Sequence, residues 1–235
     1  MEAAIATETF ETYDDYYESG YEPLGKIPSS WKLVSNKGIF KLLKKQVGKE
    51  ASKHKLLSLT LNGIIERDMD NPQGKFPAEF NTYQEVKKGD FIFCLFDVEE
   101  TPRGVGLSEL DGMITGAYTV LRPKEGFDKK FLYYFYLNID NDKRMRPLYR
   151  GLRNTIPKES FFSFKTFVPP LQEQTAIAKF LDEKTALTDK SIMIKERQIE
   201  LLKERRDALI NKAVTKGLNP NVKMKDSGVL LVGLS

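Results

Sequence analysis

Between residues 143 and 154 the chain places Lys143, Arg144, Arg146, Tyr149, Arg150, Arg153 and Asn154. Together these types suit contact with DNA. Arginine forks onto phosphates or guanine edges, an amide can read adenine, and a tyrosine packs on sugar or donates to phosphate. Arg103, in a glycine-containing loop, is a second candidate. Lys41, Lys44, Lys45 and Lys49, read as helically spaced, are a third. For each, the plainer alternative is a solvated basic face.

The charge distribution favours a polyanion partner. The 235 residues carry 37 Lys plus Arg against 33 Asp plus Glu, a net +4. The balance is uneven: residues 1–22 hold seven acids and no base, whereas residues 23–170 hold 25 bases and 17 acids. The acidic leader reads as a solvated or loosely docked tail, and the basic surplus lies in the middle.

Other chemistries lack the residues they need. With one His and one Cys, His/Cys zinc clusters are excluded. Cys94 has no partner for an internal disulfide, which fits a reducing, cytoplasmic compartment. No stretch has the length and apolarity of a membrane span, so no membrane association is expected. An amino-methyltransferase needs an Asn/Asp-Pro-Pro-aromatic loop and a glycine-rich strand-helix turn. Asn71-Pro72 lacks the second proline, and Gly104-Val105-Gly106 is a lone GxG that reads as a loop. No carboxylate pair with a suitable lysine suggests a nuclease. A Cys94/His54 pair is conceivable, but Cys94 within Phe91–Phe96 reads as core packing and His54 as an exposed loop residue. The expectation is a chain with no catalytic residue, cofactor or metal.

Pro169-Pro170 separates two regimes. Before it, short apolar runs are punctuated by Gly and Pro. Phe91–Phe96 reads as a buried strand, Met113–Leu121 as a second ended by Arg122-Pro123, and Phe127–Leu137 as a helix packed on the sheet. Phe161–Val168 reads as a further strand, and Asn62–Asn81, with Asn71-Pro72-Gln73-Gly74, as a loop. After Pro170 neither breaker occurs until Gly217. A helix from about 171 to 215 would span roughly 65 Å. In a heptad register, Thr185, Ile192, Ile199, Arg206 and Ala213 take position a, and Leu181, Thr188, Lys195, Leu202 and Leu209 take d. Six of these ten are apolar, so the pattern predicts a projecting helix with one partner face. The fold class expected is α+β, a mixed domain followed by a long coiled-coil-forming helix. A short echo between residues 16–25 (YYESGYEPLG) and 224–233 (MKDSGVLLVG) suggests the opening of a second module.

VPPLQEQTAIAKFLDEKTA, followed by KERQIELLKERRDALINKAVTKGLNPNVKMKDSGV, closely resembles the conserved region of specificity subunits of type I restriction-modification systems. YYESGYEPLGKIPSSWKL resembles the start of that family's target recognition domain, through Glu18-Ser19-Gly20, Leu24-Gly25, Ile27-Pro28 and Trp31. KKGDFIFCLFD and DGMITGAYTVLRP resemble its strand segments. The resemblance implies an acidic leader (1–22), a DNA-binding target recognition domain (23–170), a spacer and dimerisation helix (171–216) and a tail like the start of a second module (217–235).

It implies double-stranded DNA, methyltransferase subunits and restriction subunits as partners. Family members carry two recognition domains and two antiparallel helices in one chain, so this sequence is expected to be a half-length form. Val229–Ser235 stands where the second module would continue through Ile-Pro to Trp. A homodimer through Leu181, Ile192, Ile199, Leu202 and Leu209 is therefore expected, reading a bipartite and palindromic site. The competing expectation is a coiled-coil assembly protein, or a remnant that binds methyltransferase without reading DNA.

Overall fold

A computed structural model describes residues 13–20, 25–68, 80–219, 221 and 223. Most of the acidic leader, Leu24, the Asn71–Gly74 turn and the 224–233 echo fall outside the described residues. The chain divides into two compact units, Met1–Leu181 and Asp182–Ser235.

The elements run in the order β1 (Tyr16–Glu18), β2 (Lys26–Pro28), β3 (Lys32–Ser35), the one-turn helix α1 (Asn36–Ile39) and β4 (Phe40–Leu42). A 3-10 segment (Gly48–Lys53) leads to β5 (Leu57–Thr60), β6 (Gly63–Glu66), β7 (Gln84–Val86), β8 (Phe91–Phe93), β9 (Val105–Leu107), β10 (Gly112–Ile114) and β11 (Thr119–Pro123). Then come α2 (Lys129–Asn141), a 3-10 turn (Arg146–Leu148), α3 (Lys158–Ser163), β12 (Lys165–Val168) and α4 (Leu171–Lys216). The architecture is α+β with a long C-terminal helix, as the sequence predicts.

The central sheet has the order β4-β11-β8-β9 and is antiparallel throughout. Its strands are short and apolar because both faces are covered: Phe91, Ile92 and Phe93 of β8 are all buried. One face packs on α2. Asp128 caps that helix by accepting from the backbone N–H groups of Lys130 and Phe131, satisfying donors the helix leaves open. The rings of Phe40, Phe91, Phe93, Tyr136 and Phe161 meet edge-on or tilted between the layers, apart from Phe91 and Phe93, which stack on each other. In their midst the Tyr136 hydroxyl donates to Asn36 Oδ1 at 2.6 Å and lies 2.6 Å from Thr166 Oγ1, which donates to the same oxygen at 2.8 Å. Burial pushes the Tyr136 phenol far above its ordinary pKa, so it stays neutral.

Several local expectations are corrected. The Asn62–Asn81 stretch read as a loop holds β6 from Gly63 to Glu66, and Gly104-Val105-Gly106 runs into β9. Met113–Leu121 is not one strand: a turn closed by Tyr118 N–H donating to Thr115 O divides it into β10, paired with β7, and β11 in the central sheet. Phe161–Val168 begins helically, because α3 runs to Ser163 before β12 starts at Lys165. The lysines from 41 to 49 do not share a helix, since Lys41 is in β4 and Lys49 in the 3-10 segment. The lone GxG serves packing. A Cβ on Gly106 would lie 2.6 Å from Ile64 Cδ1, and one on Gly104 would lie 2.7 Å from Asp140 Oδ1. These glycines let the β5–β6 hairpin and α2 approach β9.

The first turns of α4 belong to the first unit. Gln174 is buried; its Oε1 accepts from Asp128 N–H and its Nε2 donates to Pro169 O, both at 2.9 Å. Trp31 Nε1 donates to Glu173 Oε1 at 2.8 Å, and the Tyr13 hydroxyl donates to the same oxygen. Burial, with Glu173 beside it, pushes the Tyr13 pKa up to about 12. From Glu183 to Asn219 every residue is exposed.

Tyr136→Phe deletes the hydroxyl but keeps the ring. Urea unfolding should show a loss of about 1–3 kcal/mol, the cost of disrupting a buried hydrogen-bonded network.

Candidate nucleic-acid interface

The arginine-rich segment is a folded surface stitched to the loop that follows β8. Arg150 and Thr155 form an isolated bridge with N–H to O distances of 2.8 and 3.0 Å, closing a tight excursion through Gly151. Gly151, Asn154 and Lys143 have φ of 67°, 44° and 49°, left-handed values that favour Gly and are tolerated by Asn. Leu152, at the tip, is fully exposed.

Acids from the β8–β9 loop meet Arg146 and Arg153, and acids at the end of α2 meet Lys143 and Arg144. Arg153 forks onto Asp97, whose backbone N–H donates to Arg153 O at 2.8 Å. Arg146 forks onto Glu99, and Asn154 Nδ2 donates to Glu100 at 3.3 Å. Arg144 pairs with Asp142 at 2.5 Å. Lys143 is largely buried, donating to Asp140 Oδ1 at 2.9 Å and to Thr101 O at 2.8 Å. Asp140 also accepts from Gly104 N–H at 2.8 Å, so this pair is internal scaffolding.

Arg103 Nη1 donates to Asn141 at 3.0 Å, while its Nε is buried without a partner. The Tyr149 hydroxyl is likewise buried and unpartnered, and burial pushes its pKa up to about 12. Arg150 differs from the rest. Its guanidinium meets only the carbonyls of Pro147 and Tyr149, so its charge has no carboxylate across from it among the described residues. The structure thus brings all the predicted residues of this segment together, but pairs four of its five cations internally. Sequence proximity could show the pairs of Lys143 with Asp140 and Arg144 with Asp142, but not those of Arg146 and Arg153, whose acids lie 47 and 56 positions away.

Cys94 is buried. Its Sγ donates to Phe96 O at 3.2 Å and lies 3.7 Å from Thr101 Oγ1, and burial pushes the thiol pKa up. Its surroundings are those of a packed residue, with no base to activate it. His54 ends the 3-10 segment and is half-buried. Among the described residues, no group of three His, Cys, Asp or Glu could hold a metal ion, and no helix is long and apolar enough to cross a membrane.

The second candidate surface is the exposed part of α4. Ile192, Ile199, Leu202 and Leu209 are all at least half exposed, and the predicted dimerisation residue Leu181 is partly buried in the first unit. One residue before each d position from Thr188 onward stand Leu187, Ile194, Leu201 and Ala208, about 100° round the helix. Sequence reading identified only the first stripe. The second was legible as another seven-residue recurrence. The opposite side carries Asp189, Glu196, Glu200, Glu204 and Asp207.

Residues 114–203 match the family model described as "Type I restriction modification DNA specificity domain". Over that stretch the chain is similar to type I restriction-modification DNA specificity domains. That match runs from the end of β10 across β11, α2, the arginine-rich segment, α3 and β12, and well into α4. A solved structure described in work on complex assembly and conformational transition of the type I R-M system shares the fold. It is 18% identical with a TM-score of 0.58, covering 84% of this chain and 49% of that one. The HsdS subunit from Thermoanaerobacter tengcongensis matches at 19% identity and a TM-score of 0.47, over 84% of this chain and 48% of that one. An S subunit from M. genitalium matches at 16% and 0.45, over 77% and 45%. The chain therefore spans about half the length of each of these structures.

Hydrogen bonds from Arg153 and Arg146 hold the Asp97 and Glu99 carboxyls below the ordinary carboxylate range. A depressed pKa stabilises the fold above the unfolded value, and the contribution is lost as pH falls through the folded value. Asp97→Asn combined with Glu99→Gln should therefore flatten the loss of thermal stability between about pH 5 and about pH 3. Superimposable melting curves for variant and wild type would remove these pairs from the acid response.

Proposed function

We propose that the chain is the DNA sequence-recognition subunit of a type I restriction-modification complex. In this reading it is a cytoplasmic, non-catalytic protein that directs methyltransferase and restriction subunits to DNA, with no metal or cofactor of its own. The observation that carries it is the pair of apolar stripes on α4, in a chain whose specificity-domain match over residues 114–203 runs from the end of β10 into that helix.

An apolar helix face this long needs burial against another helix. A second copy is the simplest cover for Ile192, Ile199, Leu202 and Leu209. A twofold axis makes the contact self-complementary and closes the assembly at two. Two identical recognition domains related by that axis read inverted copies of one short sequence, giving a bipartite, palindromic site. The stripe of Leu187, Ile194, Leu201 and Ala208 is then left for methyltransferase.

DNA contact is assigned to the arginine-rich segment, with Arg150 the cation freest to engage a phosphate or base and Arg153 able to exchange Asp97 for phosphate. The internal pairing of that segment also favours the second reading, an assembly protein or remnant that holds methyltransferase without reading DNA. Mapping methylation on DNA modified by this chain plus its methyltransferase separates the two. A defined inverted-repeat motif is expected, and absence of modification would favour the remnant.

Light scattering at tens of micromolar should report a dimer. Ile199→Asp with Leu202→Asp should yield monomer, whereas Ile194→Asp with Leu201→Asp should keep the dimer and lose methyltransferase on co-purification. A monodisperse wild-type monomer would sink the dimer. Arg150→Ala with Arg153→Ala should weaken binding to the mapped site and flatten its salt dependence. Unchanged binding across a salt titration would remove both from the interface.

A further inference from the structure

The arginine-rich segment is nearly neutral once its ion pairs are counted, so the basic surplus of residues 23–170 has to surface elsewhere. It does so along β4, at the edge of the central sheet. A cleft of about 400 Å³ there is lined by Lys41, Lys44, Lys45, Lys87 and Arg122, with Glu85 the one carboxylate among its described lining residues. Lys41 sits directly across the β4–β11 ladder from Arg122, a like-charge pairing that costs stability unless another group compensates.

Part of that compensation is visible. Asp90, whose side chain is 1% exposed, accepts from Arg122 Nε at 2.7 Å and Nη2 at 2.9 Å, and from Lys87 N–H at 2.9 Å. Lys45 and Lys87 share Glu85, at 2.5 and 3.1 Å, and Lys87 also lies 3.6 Å from Asp111. Lys41 and Lys44 have no carboxylate within ion-pair distance among the described residues. A neighbouring cleft that shares Leu42 adds Lys37 and Lys158, with Glu159 beside them. A track of cations of this length suits a repeating polyanion better than a single small anion.

We propose that the β4-edge cleft binds backbone phosphate of duplex DNA, with Lys41 and Lys44 as direct contacts and Arg122 as a third charge held in place by Asp90. This surface positions the duplex without reading its sequence, a role distinct from that of the arginine-rich segment. It rests on the DNA-recognition reading above.

Phosphate contacts govern binding to any sequence, so the probe is a random-sequence duplex of about 30 base pairs, bound to the full chain and followed by fluorescence anisotropy from about 50 to about 300 mM salt. Lys41→Gln with Lys44→Gln should reduce the slope of log K against log salt by about 2. Lys41→Arg with Lys44→Arg should keep it, which separates loss of charge from loss of fold. Lys32→Gln with Lys165→Gln removes two exposed lysines of the β3–β12 pair and should leave the slope unchanged. An unaltered slope in the Lys41/Lys44 glutamine variant, or an equal fall in the Lys32/Lys165 control, would overturn the assignment. So would displacement of the duplex by low-millimolar inorganic phosphate with sodium chloride of equal ionic strength inert, since the cleft would then serve a free anion. A wild type that binds no duplex at any salt defeats the recognition reading itself, and this inference with it.

Discussion

Both basic surfaces are carried by elements that converge on one buried side chain, Tyr136. Its hydroxyl joins α1 to β12 through Asn36 and Thr166, while its ring packs against β4 through Phe40, β8 through Phe93 and α3 through Phe161. β4 bears Lys41, and β8 runs into the loop whose acids hold the arginines. Aromatic contacts and hydrogen bonds made in a buried interior are worth more together than singly. That lets strands of three residues hold a fixed arrangement despite few ladder bonds of their own.

Charge is managed differently on the two surfaces that this core supports. Arg146 and Arg153 each have an acid, and the pairs join two loops that would otherwise be held by few backbone bonds. Exposed pairs of that sort add little stability but do restrict side chains. Along β4 the acids are fewer and partly buried, so positive charge is left facing water. The same composition thus yields a rigid, near-neutral surface and an open, cationic one.

The sequence was most readable where structure is local. The seven-residue recurrence after Pro170, the breaker-free run from Phe127 and the apolar run at Phe91 depend on neighbours within a few positions, and each corresponds to an element. It was least readable where a short turn or a distant partner decides. Thr115–Tyr118 divides an apparently continuous strand, and α3 forms in a run of phenylalanines that favours extended structure as readily as helix. Asp97 and Glu99 lie about fifty residues from their arginines, and the β4-edge cleft unites residues 41, 87 and 122. No linear reading joins those positions, so the segment with the densest arginines looked the more available for DNA than its fold leaves it.

Apolar side chains on two sides of α4 also have a cost outside any assembled complex. A newly made chain presents Leu187, Ile194, Leu201 and their neighbours to water until they are covered, and such patches attract chaperones, proteases and other exposed helices. The amount of usable protein then follows the supply of whatever covers those faces rather than the rate of its own synthesis. In the proposed complex, stoichiometry is thereby written into the surface of a single helix.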